Sequence, residues 1–117
     1  MLGSTHFVAG AAIGKLSGNP LLAAILGFTF HFLMDMVPHW DYGYHFRRNL
    51  KSFLIAILDP LIGVISVALF VFYFSDWSYQ SIINMFIGGA FCLLPDVMGV
   101  GIKFFKIEKL AFFNKFH

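Results

Sequence analysis

Charge is scarce in this chain. Of its 117 residues only 12% are Asp, Glu, Lys or Arg, about half the share of roughly 25% found in soluble domains. Cysteine is nearly absent: Cys92 stands alone, which excludes an intramolecular disulfide and any CxxC metal motif. Within an apolar stretch such a thiol is expected to be a small, inert core residue. No Lys or Arg falls within residues 5–14, 20–37, 52–74 or 81–102. A basic region ahead of the first apolar run is missing too, since the first positive charge is Lys15; no cleaved signal peptide is expected.

Hydrophobic residues make up 59% of the sequence, and the mean hydropathy is +0.80. Three stretches, residues 20–37, 52–74 and 81–105, reach or approach the roughly 20 apolar residues that cross a bilayer core. A fourth, residues 5–16, is apolar and rich in small residues but falls short of a full span at about 1.5 Å per residue. It is expected to be a short sheltered helix or a re-entrant one. The sequence thus predicts an all-α polytopic membrane protein, one domain over 1–117. Its segments run about 4–17, 20–37, 52–75 and 80–105, with an amphipathic tail over 106–117.

Orientation follows the Lys/Arg bias of the loops. If the segments alternate, one face holds Lys15 alone, while the other holds Arg47, Arg48, Lys51, Lys103, Lys106, Lys109 and Lys115. Both termini are therefore expected on the cytoplasmic side of a bacterial-type inner (plasma) membrane. Trp40, Tyr42 and Tyr44 on one side and Trp77 and Tyr79 on the other suit the two interfacial aromatic belts.

Against this apolar background the ionisable residues are grouped. His6 begins the first segment, His31 and Asp35 end the second, Asp59 lies early in the third and Asp96 late in the fourth. In an up-down-up-down bundle all fall toward the basic-rich side. His31 lies seven residues before Pro38, Asp59 eight after Lys51 and Asp96 seven before Lys103, each roughly 10–12 Å inward at helical rise.

A weak internal repeat accompanies the grouping. Residues 26–35 align with 87–96 at a constant offset of 61, matching Gly27 with Gly88, Phe30 with Phe91, Leu33 with Leu94 and Asp35 with Asp96. His6 with Gly10 likewise echoes Asp59 with Gly63. The chain reads as two parallel-repeated helical hairpins.

An ionisable side chain at membrane depth costs about 3 kcal/mol or more and usually faces the bundle interior and a partner. No buried Lys or Arg is at hand, and several carboxylates together repel one another unless protonated or bound to a cation. A metal ion meets that need. His31 and Asp35, four residues apart, share a helix face, and His39 and Asp41 follow beyond Pro38 in the pattern HxxxDxxPHxD. The candidate ligands are His6, His31, Asp35, His39, Asp59 and Asp96. Mixed imidazole and carboxylate donors suit a divalent ion such as Zn or Mn, with Fe also compatible. A carboxylate left over, Asp41, is the candidate general base. Room for two ions would allow in-line displacement.

Structural alternatives stand beside these assignments. His6 can bond locally at a helix start, His39 and Asp41 can be interfacial loop residues, and His45 is expected to be solvated. Asp59 before Pro60 has the form of an N-cap. Asp96 after Pro95 can repair a kink, and His117 belongs to a tail. Arg47, Arg48 and Lys51 can anchor anionic lipid, at about 1 kcal/mol each, or hold a headgroup.

Thr5-His6 with Gly10, and above all Gly89-Ala90-Phe91-Cys92-Leu93-Leu94-Pro95-Asp96, resemble the YdjM-type family of bacterial inner-membrane proteins, classed as metal-dependent hydrolases. Its patterns include an early His and a GxxLPDxDH-like segment. The resemblance implies a small polytopic membrane protein with a His/Asp metal site in which His6 and Asp96 take part. The pattern departs after Asp96, where Val97-Met98-Gly99 stand in place of an Asp-His continuation.

These observations predict a membrane-embedded metal-dependent hydrolase with its site near the cytoplasmic face, acting on a phosphoester, ester or amide bond in a lipid-associated substrate. Membrane lipid is the expected partner, and no nucleic acid is. The rivals are a metal-ion or proton transporter or channel, using the same carboxylates as relay sites, and a non-catalytic scaffold. A scaffold would tolerate Asn at Asp35, Asp59 and Asp96, because polar packing alone would be their role.

Overall fold

The computed structural model describes residues 2–37, 50–74 and 78–105. Among them are four α-helices and no strand: α1 (Gly3–Leu16), α2 (Pro20–Asp35), α3 (Leu50–Tyr73) and α4 (Tyr79–Phe105).

Three residues make the turn from α1 to α2. Ser17 Oγ donates to the carbonyl of Gly14 at 2.6 Å, and Gly18 takes a φ of 75°, which side-chain-bearing residues avoid. Asn19 then caps α2 by accepting from the Leu22 N–H at 2.8 Å, while Pro20 sits in the first turn, where its missing N–H is not needed. By contrast, Leu2 provides no side-chain cap to α1. The free donors at that end are satisfied from α3.

At about 1.5 Å per residue, α1 and α2 are roughly 21 and 24 Å long, α3 and α4 roughly 36 and 40 Å. Only α3 and α4, among the described residues, are long and apolar enough to cross a membrane by length and composition, with hydropathies of 2.5 and 1.8. α2 is apolar but shorter. Pro60 lies inside α3 and Pro95 inside α4.

The helices pack around α4. Both α1 and α2 lie along it, whereas α3 packs on α1 and hardly touches α4. Register follows from the close approaches: Gly10 faces Cys92 and Gly88, and Gly14 faces Asn84, so α1 runs antiparallel to α4. Gly27 faces Gly88 and His31 meets Cys92, so α2 runs parallel to α4. Gly3 lies against Asp59 and Pro60, and Gly63 against Ser4, so α1 and α3 are parallel.

The repeat is visible in this arrangement, since the equivalent Gly27 and Gly88 touch. Its symmetry is incomplete: among the described residues α2 and α3 share no interface comparable to that of α1 and α4.

Gly88 is where three backbones converge. A Cβ there would overlap the Gly10 carbonyl oxygen, and a Cβ on Gly10 or Gly27 would run into the Gly88 carbonyl. Beside this contact a small core forms from Phe7, Ala11, Val67 and Met85, flanked by Val64, Phe86 and Leu93. The outward faces are apolar as well; on α3, Leu54, Ile57, Ile62, Leu69 and Phe72 are all exposed.

Gly88→Ala is expected to destabilise the bundle by about 1–3 kcal/mol, the range for overpacking, because the obstruction is backbone and cannot rotate away. Gly101→Ala has open space around it and is the control, expected to be neutral or slightly stabilising by helix propensity. Thermal unfolding in detergent distinguishes the two.

Candidate metal centre

The site sits where α1 begins and α2 ends, against the middle third of α4. His6 and His31 are fully buried, their rings 4.4 Å apart between centroids and tilted by 33°. Each lies one helical turn from a glycine contact, His6 before Gly10 and His31 after Gly27, so close helix approach draws both imidazoles inward.

Asp35 joins them. Its Oδ1 lies 3.2 Å from His6 Nε2 and its Oδ2 3.0 Å from His31 Nε2. Asp96 approaches from α4, with Oδ2 3.8 Å from His6 Nε2. Both carboxylates keep some access to the outside, with side chains 21% and 29% exposed. His6, His31, Asp35 and Asp96 each offer one ligand atom, and these atoms all lie within 4.8 Å of one another.

The decisive feature is the far side of His31. Its Nδ1 is 2.8 Å from the backbone carbonyl of Cys92. A carbonyl only accepts, so Nδ1 carries the proton and donates. In the neutral ring Nε2 then bears the lone pair, and that lone pair faces a carboxylate oxygen at 3.0 Å. Two acceptors at hydrogen-bond distance require a cation between them, either a proton or a metal ion. An imidazole held on one nitrogen by a carbonyl and offering the other is the usual outer arrangement of a metal-ligating histidine. The carbonyl lies next in sequence to that of Phe91, which loses its helical donor because Pro95, four residues on, has no N–H.

His6 gives a second indication. Its Nε2 is buried and makes no hydrogen bond among the described residues, although the Asp35 Oδ1 faces it at 3.2 Å, an approach that a proton or a metal ion would complete. The spacing also suits a metal. Metal–nitrogen and metal–oxygen bonds of about 2.0–2.1 Å in a tetrahedron place neighbouring ligand atoms about 3.3 Å apart; with one atom from each residue within 4.8 Å of the others, the side chains would close on an ion by at most about 1.5 Å. Two carboxylates carry a formal charge of −2, which one divalent ion neutralises.

The other residues expected at the site are placed differently. The Asp59 carboxylate is turned to the start of α1: Oδ2 accepts from the Gly3 N–H at 2.5 Å, and Oδ1 accepts from the Ser4 hydroxyl at 2.6 Å and lies 3.4 Å from the Ser4 N–H. It supplies the missing cap of α1 from a neighbouring helix, and it is not in the four-residue cluster. His39 and Asp41, with His45, Arg47, Arg48 and His117, lie outside the described residues. Cys92, read from sequence as a core residue, is fully buried, yet its sulfur is 4.0 Å from His6 Nδ1. The signal that could have found it is the repeat, in which Cys92 is the counterpart of His31.

An apolar groove of about 510 Å³ lies elsewhere, lined by Val8, Ala12, Lys15, Ser66 and Phe70 among others. It flanks the opposite end of α1 and lacks the convergent polar groups of a reactive site.

No family model matches the chain, nor does any curated protein or solved structure. Function therefore has to be read from the geometry.

Asp59→Ala is expected to cost about 1 kcal/mol, the usual loss for a helix cap, which unfolding in detergent measures.

Proposed function

We propose that this chain is a polytopic protein of a bacterial-type inner membrane, with both termini cytoplasmic, and that its His/Asp cluster holds a divalent metal, Zn or Mn, used for hydrolysis. The membrane reading is supported by the length of α3 and α4 and by the apolar side chains on the bundle's outside, the reverse of a water-facing surface. The metal reading is carried by one observation above all: His31 has its Nδ1 held by the Cys92 carbonyl and its Nε2 aimed at Asp35.

A catalytic metal site keeps one position open, with three protein ligands where a structural site has four. His6, His31 and Asp35 are the closely spaced three. Asp96, at 3.8 Å and the more exposed carboxylate, is the group left to take a proton from water as general base, a role first considered for Asp41. A bound divalent ion would supply Lewis acidity and a water made acidic enough to ionise near neutral pH. The Cys92 carbonyl holds His31 in one tautomer, and burial keeps both imidazoles from water while the two carboxylates retain partial exposure.

That one-sidedness favours hydrolysis over conduction. From His6 toward Lys15 the interior is filled by the contacts among Gly10, Gly14, Gly27 and Gly88, too close to admit even a Cβ. The next buried polar side chain on that route is Asn84, which faces Gly14. Depth in the bundle and the apolar exterior fit a substrate delivered from the bilayer, a phosphoester, ester or amide attached to a lipid. The resemblance to YdjM-type hydrolases agrees with this reading.

Elemental analysis of the purified protein is expected to show stoichiometric Zn or Mn, lost in a folded His31→Ala/Asp35→Ala variant. Absence of metal from both, even after reconstitution, would sink the metallohydrolase and leave a protonated His/Asp pair as the cation. In the metal-loaded protein, Asp96→Asn should retain the ion and lower turnover of a chromogenic phosphodiester or ester about 10²–10⁴-fold, the usual contribution of a general base.

A further inference from the structure

The His6 imidazole faces sulfur as well as oxygen. Cys92 is fully buried, and its Sγ lies 4.0 Å from His6 Nδ1. His6, His31 and Cys92 each bring a ligand atom within 4.8 Å of the others. The nitrogens of His6 thus look toward different chemistries: Nε2 toward the carboxylates of Asp35 and Asp96, Nδ1 toward the thiol. The spacing is not accidental slack, because α1 is pressed on α4 at this level, Gly10 lying against Cys92 itself.

Carboxylate oxygen and thiolate sulfur select different ions. Hard or borderline cations are served by oxygen and imidazole, soft ones by sulfur. We propose that the cluster contains two overlapping donor sets, and that His6, His31 and Cys92 form a soft-metal set that takes a thiophilic divalent ion such as Cd²⁺ in competition with the ion held by His6, His31 and Asp35. The sets compete because His31 has a single nitrogen to give while the Cys92 carbonyl holds its Nδ1. Binding at sulfur releases the thiol proton to solvent as the metal–sulfur bond forms. The proposal depends on the metallohydrolase reading only through the shared imidazoles; it stands or falls on the sulfur.

The test uses the full chain in detergent, stripped by chelator and titrated with CdCl₂ or ZnCl₂. Cadmium is expected to raise a sulfur-to-metal charge-transfer absorption that saturates at one equivalent, and to expel zinc loaded beforehand. Cys92→Ser and Cys92→Ala, both small enough for the contact with Gly10, should lose the absorption and keep zinc. Asp35→Asn should weaken zinc and keep the absorption. Absence of the band in the parent, its survival in Cys92→Ser, or loss of zinc together with cadmium in both Cys92 variants would each overturn the proposal. A parent that takes neither zinc nor manganese yet shows a Cys92-dependent cadmium band would end the metallohydrolase reading and uphold this one.

Discussion

The site depends on the meeting of three helix backbones around Gly88. Gly10 of α1 and Gly27 of α2 both reach its peptide group so closely that no side-chain carbon fits between them. Every donor of the cluster is one or two helical turns from that contact: His6 four residues from Gly10, His31 and Asp35 four and eight from Gly27, Cys92 and Asp96 four and eight from Gly88. Steps of four keep nearly to one helix face. The contact that brings the backbones together therefore also turns the donors toward one another, and a shift of one residue along α1 or α2 would drive a side chain into backbone.

Such packing makes the polar cluster unusually demanding. The site is built from fully buried imidazoles and partly covered carboxylates, where a low dielectric strengthens matched interactions and penalises unmatched ones. Asp35 matches both histidines at once, one oxygen to each. The Cys92 carbonyl settles the His31 tautomer and so fixes which imidazole nitrogen faces the site.

Much of this was legible in the sequence because composition and spacing are strong signals in an apolar chain. Long uncharged runs separated by polar turns gave four helices, and the few ionisable residues stood out against them. That His6, His31, Asp35 and Asp96 come together follows from alternating helix direction and similar depth. Other features were not legible. Asp59 has the same depth and residue type as the others, and only packing shows that α1 lacks its own cap and draws on this carboxylate. Cys92 looked like core because a lone thiol in an apolar run usually is; its nearness to His6 depends on the α1–α4 register, which the Gly10–Gly88 contact sets and no local pattern announces.

The repeat explains why one centre forms where two hairpins might suggest a pair. Its equivalent positions carry different chemistry: His31 corresponds to Cys92, and His6 to Asp59. In the first hairpin both positions supply imidazoles. In the second, one supplies a backbone carbonyl and a sulfur beside those imidazoles, while the other carries a carboxylate that fastens the start of α1. Packing follows the same division, since α1 is held between α3 and α4 but α3 has no such partner in α2. The first hairpin thus brings both histidines, and the second holds them in place and completes the site with Asp96.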